Sequence, residues 1–260
     1  MRCTLLLLGT LLSATTARAE GSLVILDPPP GHVTAWGGAS VWSFPDYLAS
    51  RRQRWVLLPA LDVTTPSGAF ASTDVGIGWN LSARPDVQWG PRLWPLLGRT
   101  SRASAVSGDA GIGPRWTKGG FFNWQPAEFL LLQSSAMTGA GRRGDGMTAE
   151  IGGVLGLPVG QPDNDVGLTA SVTWANRAFR QSYLTSAPER EPPQLAATWQ
   201  PAGGWQDASL GVTAEARLSP RWKLSGQISA VRLLGSVAQS PLTQSRTHAD
   251  VSLSLWRAWE

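Results

Sequence analysis

The chain is nearly without cysteine. Its one thiol, Cys3, lies in a stretch that export would remove, so the mature protein has neither disulfides nor thiol chemistry. No cysteine stands at the expected cleavage point, which argues against a lipid anchor. Histidine is almost as scarce. His32 and His248 are far apart and offer no metal-ligand spacing. No later run approaches the roughly 18 consecutive apolar residues of a membrane-crossing helix, which excludes a helical membrane protein. Charge is sparse as well, at 15% of residues.

What charge there is does not point to nucleic acid. Arg2 and Arg18 fall in the exported leader, so the 22 basic residues fall to 20 against 18 acidic ones. No motif implies a cofactor. The leader itself is readable: Arg2, the apolar run Thr4–Leu12 and the small-residue site Ala17-Arg18-Ala19 form a secretory signal peptide over residues 1–19. Residues 20–31 are then expected as a short N-terminal periplasmic segment, and 32–260 as a single domain.

The clearest periodicity lies near the C-terminus. In steps of two, Ala208, Leu210, Val212, Ala214, Ala216 and Leu218 share one face, while Asp207, Ser209, Thr213, Glu215 and Arg217 share the other. After Ser219-Pro220-Arg221 the pattern resumes with Trp222, Leu224 and Ile228 against Lys223, Ser225 and Gln227. The last segment sets Val251, Leu253, Leu255 and Trp259 against His248, Asp250, Ser252 and Ser254. A soluble antiparallel sheet with one wet face gives the same alternation. Export and a terminal aromatic strand favour a membrane β-barrel, in which Val251, Leu253, Leu255 and Trp259 form the terminal assembly strand.

Composition agrees. The 14 Trp and 29 Gly residues suit a barrel, which places Trp at membrane interfaces and Gly where curved strands crowd. Trp42, Trp55, Trp79, Trp174, Trp222 and Trp259 all fall near the end of an expected strand. Further strands are expected at 32–42, 53–64, 68–81, 86–96, 112–122, 128–137, 147–157 and 166–177, with loops at 97–110, 138–146 and 178–205. That makes eleven segments. Barrels of bacterial outer membranes have even strand numbers, so the expectation is about 12 strands, with about 10 as the alternative. The missing strand is sought inside 178–205 or 97–110.

Several short stretches resemble the MltA-interacting protein family, MipA/OmpV. They are Pro45-Asp46-Tyr47, Leu58-Pro-Ala-Leu-Asp-Val63, Gly76-Ile-Gly-Trp-Asn-Leu-Ser82, Trp89-Gly-Pro-Arg-Leu93, Ser171-Val-Thr-Trp-Ala-Asn176 and Leu218-Ser-Pro-Arg-Trp-Lys-Leu224. The resemblance implies an all-β, antiparallel transmembrane barrel in the outer membrane of a Gram-negative bacterium, without enzymatic activity. Its implied partners, besides outer-membrane lipid, are a periplasmic lytic transglycosylase and a peptidoglycan synthase, for which it would act as a scaffold. Leu184-Thr185-Ser186 replaces the Tyr-rich segment usual after Gln181-Ser-Tyr183, which bears on partner identity.

Two other functions remain open at this stage. Inward-facing charges at Arg54, Asp62, Asp74, Arg92, Glu150, Glu215, Arg217, Lys223 and Asp250 suggest a porin-like channel, though mixed signs in a small barrel can also cross-link and fill a lumen. The loop 178–205 could serve as a surface adhesin. A hydrolase would need a histidine within reach of its nucleophile, and no motif accompanies His248.

Overall fold

The structure is a computed structural model that describes residues 29–96, 112–157, 164–184, 201–240 and 243–259. The expected signal peptide, the whole of the expected 97–110 loop, residues 185–200 of the expected 178–205 loop and Glu260 lie outside the described residues. Alternating sequence becomes strand wherever one face can meet lipid and the other a polar interior. Strand β10 (Gly204–Ser219) shows this plainly: Leu210, Val212 and Leu218 are exposed outward, whereas Gln206, Asp207 and Gly211 are buried inward.

The other strands are β1 (Thr34–Pro45), β2 (Gln53–Thr64), β3 (Ala69–Ser72), β4 (Gly76–Trp79), β5 (Val87–Leu96) and β6 (Arg115–Ala127), followed by β7 (Leu130–Ala140), β8 (Gly146–Leu157), β9 (Asn164–Ala175), β11 (Trp222–Leu233) and β12 (Thr247–Trp259). Each pairs antiparallel with its neighbours in sequence, and β1 pairs with β12, from Ala35 opposite Trp259 to Ser43 opposite Val251. The result is a closed barrel. Closure leaves no sheet edge at this seam, which lipid would not tolerate.

The count of twelve comes from a place the sequence did not suggest. Residues 68–81, expected as one strand, form the hairpin β3–β4. Ser72 Oγ accepts the Asp74 N–H at 3.1 Å, and Gly76 adopts a φ of 86°, a region other residues avoid. The Thr73 N–H donates to the Leu61 carbonyl at 2.8 Å, so the turn 73–75 docks against the middle of β2. The stretch 178–205, expected to be irregular, overlaps helix α1 (Arg177–Leu184).

Outward aromatics form two bands. Trp79, Trp89, Trp124, Trp222 and Trp259 are exposed near the end of the barrel that carries both termini, and Trp55, Trp116 and Trp205 near the opposite end. Short connections at 65–68, 128–129 and 220–221 mark the first end, and long ones at 97–114 and 176–203 mark the other. Since outer-membrane barrels have short periplasmic turns and long outer loops, the termini are periplasmic. No described helix is long and apolar enough to cross a membrane; the strands do so.

Candidate functional site

The interior holds a cavity of about 630 Å³. It runs from Trp42, Leu48 and His248, toward the outer mouth, to Thr64, Phe129 and Asp165 at the periplasmic rim. Its wall is built from the inward positions of the strands, which the alternation fills with hydroxyls and amides. Ser40 and Ser254 hydroxyls meet at 2.6 Å across the seam, Ser171 and Ser209 at 2.8 Å, and Asn123 Nδ2 donates to Gln88 Oε1 at 3.3 Å. Such cross-strand pairs hold the wall together from inside.

The structure places the expected lumen charges unevenly. Asp62, Asp74, Glu150, Glu215, Lys223 and Asp250 line the cavity. Arg92 is fully buried and donates through Nη2 to Ser135 Oγ at 3.2 Å. Arg54 is half-buried near the outer end of β2, and Arg217 is exposed close to the periplasmic turn. Neither lines the cavity. Glu215 and Lys223 pair at 3.2 Å, with the ammonium 5.0 Å from the Trp36 ring centre and 5.6 Å from that of Trp256. His248 Nε2 lies 3.8 Å from Asp250 Oδ2, and both side chains are buried. His32, outside the strands, is exposed.

Among the described residues four tryptophans face the interior, which their type alone did not reveal. Trp42, expected among the interface aromatics, lines the cavity together with Trp94 and Trp256. Trp36 shares their side of the wall, stacked on Lys223. On the terminal strand Leu253, Leu255 and Trp259 are exposed outward and Val251 is half-buried, while Trp256 is buried and donates to Ser225 Oγ at 2.9 Å.

The outer mouth is crossed by α1. Asn176 caps it: Oδ1 accepts the Phe179 N–H at 2.8 Å and the Met147 N–H at 3.0 Å, while Nδ2 donates to the Asp145 carbonyl. Phe179 and Tyr183, one turn apart with ring centres 4.5 Å from each other, bury against Leu96, Ile112, Ala140 and Ala175. Leu184 buries on a different part of the rim, with Tyr47, Ala49, Leu233 and Val237. Val237 belongs to the short 3-10 helix Gly235–Gln239 between β11 and β12. Arg180 anchors the helix by donating to the carbonyls of Ala202 and Gly204, each at 2.6 Å, and to Ser236 Oγ at 3.0 Å. Burial lowers its pKa from the usual arginine value, and Asp207 opposes that shift. The sequence signal for this helix was Asn176 followed by Phe179 and Tyr183 at helical spacing.

Comparison with known proteins places the whole barrel. The family model described as "MltA-interacting protein MipA" matches residues 37–258. No curated protein matches the chain. An outer membrane channel from Pseudomonas putida F1 is similar in structure, with a TM-score of 0.45 at 10% identity over 90% of this chain and 100% of that one. The NanC porin gives a TM-score of 0.40 at 8% identity, over 88% and 98%. The outer membrane channel DcaP of Acinetobacter baumannii gives 0.36 at 8%, over 88% and 96%.

Proposed function

Since this chain belongs to the MltA-interacting protein family, its residues 37–258 matching that family's model, we propose that it is a non-enzymatic outer-membrane scaffold for peptidoglycan-remodelling enzymes. The partners are a periplasmic lytic transglycosylase, as the family's description suggests, and a peptidoglycan synthase recruited beside it. The observation that carries this reading is α1 buried across the outer mouth, on one part of the rim through Phe179 and Tyr183 and on another through Leu184. A helix fixed across the outer mouth narrows the route a solute would take, which counts against a channel. The barrel's short turns instead face the periplasm, where murein enzymes work. Neither His248 nor Asp250 is accompanied by a nucleophile motif, which supports a role without chemistry.

The test is photo-crosslinking in intact cells, with the reactive residue placed in turn at Ser67, Ala83, Glu128 and Arg221 on the periplasmic turns. Capture of a lytic transglycosylase and a synthase at two or more of these positions is expected. Lipid and barrel-assembly adducts alone, combined with steady single-channel currents from purified protein in planar bilayers, would replace the scaffold with a channel.

A further inference from the structure

Among the described residues the wall of the barrel is incomplete on its outer half. The β3–β4 hairpin pairs with β2 only at Asp62, Val63 and Thr64, and its turn stops level with Leu61. On the far side, β4 pairs with β5 only at Ile77–Leu93 and Gly78–Arg92. Among the described residues, no strand pairs with Gln53–Ala60 of β2 on the side away from β1, or with Pro95 and Leu96 of β5 on the side away from β6. The described residues therefore leave a notch beside the hairpin tip, in the half of the wall nearest the outer leaflet.

Two prolines line it in a telling register. Leu61 directs its N–H and C=O at the hairpin, where Thr73 meets both, so by the two-residue period of a strand the backbone nitrogen of Pro59 points into the notch. On β5 the Trp89 carbonyl accepts from Leu81, so Pro91 and Pro95 direct their nitrogens the same way. A proline in a strand survives where its nitrogen faces no partner, and it blocks the edge to an added strand. Pro59 and Pro95 thus permit the gap and discourage a peptide from filling it.

The surroundings suit hydrocarbon. Outside stand Trp55 and Leu57, both exposed toward the membrane. Inside, Val56 and Leu58 share the cavity-lining face of Trp42, and behind the hairpin Phe70, Val75 and Phe121 form a buried cluster with the two rings edge to face at 5.7 Å. At the outer lip Arg51 is exposed, Arg52 is exposed with its Nε 3.5 Å from Asp46 Oδ2, and Arg54 follows on β2, a cluster with net positive charge. We propose that the notch is a lateral binding site through which one acyl chain of an anionic outer-leaflet lipid enters the barrel, its headgroup held at the arginine lip and its chain lying against Leu58, Trp42 and Trp94. The cavity behind lies within the size range of small-molecule sites. This site is independent of any scaffold role.

The experiment uses the full mature chain in vesicles of phosphatidylglycerol that carries a diazirine on one acyl chain, irradiated and mapped by mass spectrometry. Adducts are expected on Val56, Leu58, Trp42 or Trp94 as well as on the lipid-facing Trp55 and Leu57. Leu58→Arg, which should keep the heat-modifiable barrel, removes the inward adducts and spares the outward ones. The same probe on phosphatidylcholine labels the inward set at least several-fold less. Adducts confined to outward residues on every strand would overturn the proposal. Equal inward labelling by the two headgroups would overturn its electrostatic half.

Discussion

Trp259 lies across Gly37 at the seam of the barrel, its indole occupying the space where a Cβ on Gly37 would stand. The last outward aromatic of β12 thus covers a bare stretch of β1, and one residue along, Gly38 brings its backbone against the Leu255 carbonyl so closely that a Cβ would collide with it. Closure depends on these two glycines accepting the incoming strand. We expect Gly38→Ala to cost about 1–3 kcal/mol as an overpacked contact with backbone, and more than Gly37→Ala, where the ring can swing away. Urea titration of the folded barrel, read by heat-modifiable mobility, checks the order.

The two tryptophans of the terminal strand should fail differently. Trp259→Ala removes an outward interface aromatic that the assembling strand presents, and lowers the yield of inserted barrel. Trp256→Ala removes a buried side chain bonded to Ser225. It should insert well yet unfold about 3 kcal/mol more easily, within the range for buried Trp truncation. Equal insertion yields from the two would refute the face assignment.

Stripping the helix from the mouth should change conductance. Phe179→Ala combined with Tyr183→Ala empties the cluster at Leu96, Ile112 and Ala140. Each truncation removes about 3–5 kcal/mol of packing, more than a helix of two turns can spare. Purified double variant is expected to give frequent single-channel openings in planar bilayers where the parent gives few.

Asn176→Ala should loosen the same helix from its start. The cap alone is worth about 1 kcal/mol, and the variant also loses the bonds to Met147 and Asp145. Arg177, next in sequence and exposed, offers trypsin a site. Faster cleavage there on intact cells, with unchanged barrel mobility, is the expected result.

Lys223 is held between Trp36 and Trp256 beside Glu215. Lys223→Met should reduce stability by about 1 kcal/mol, the scale of a cation over an aromatic face, and alter tryptophan fluorescence. Lys223→Arg should restore most of both.

Much of the barrel was legible because alternation leaves a trace in every residue of a strand. Strands β9 to β12 carry that trace most plainly, interrupted on the outward face of β12 only by Arg257 and at the ends of β10 by its register shifts. The hairpin hid for a physical reason: a turn of three residues keeps parity, so Ala71 and Ile77 pair across it on the same face and the pattern runs through Asp74 without a break. The resemblance to the family was legible as ordered short stretches, and the family model bears it out over residues 37–258. The direction of Trp42 was not legible, since position near a strand end fixes depth in the membrane and leaves the side undetermined. Nor was the crossing of the mouth by α1, because its partners, from Tyr47 to Val237, come from distant parts of the chain.

That crossing also bears on the seam. Phe179 and Tyr183 need the ends of β5, β7 and β9, whereas Leu184 needs the β1–β2 connection and the end of β11. The ends of β5, β7, β9 and β11 belong to one continuous run of strands, whereas the β1–β2 connection meets that run from the other side of the β12–β1 seam. By packing on Tyr47 and Ala49 as well as on the end of β11, Leu184 ties the helix to both sides of that seam, so the helix clasps the closed cylinder where its first and last strands meet.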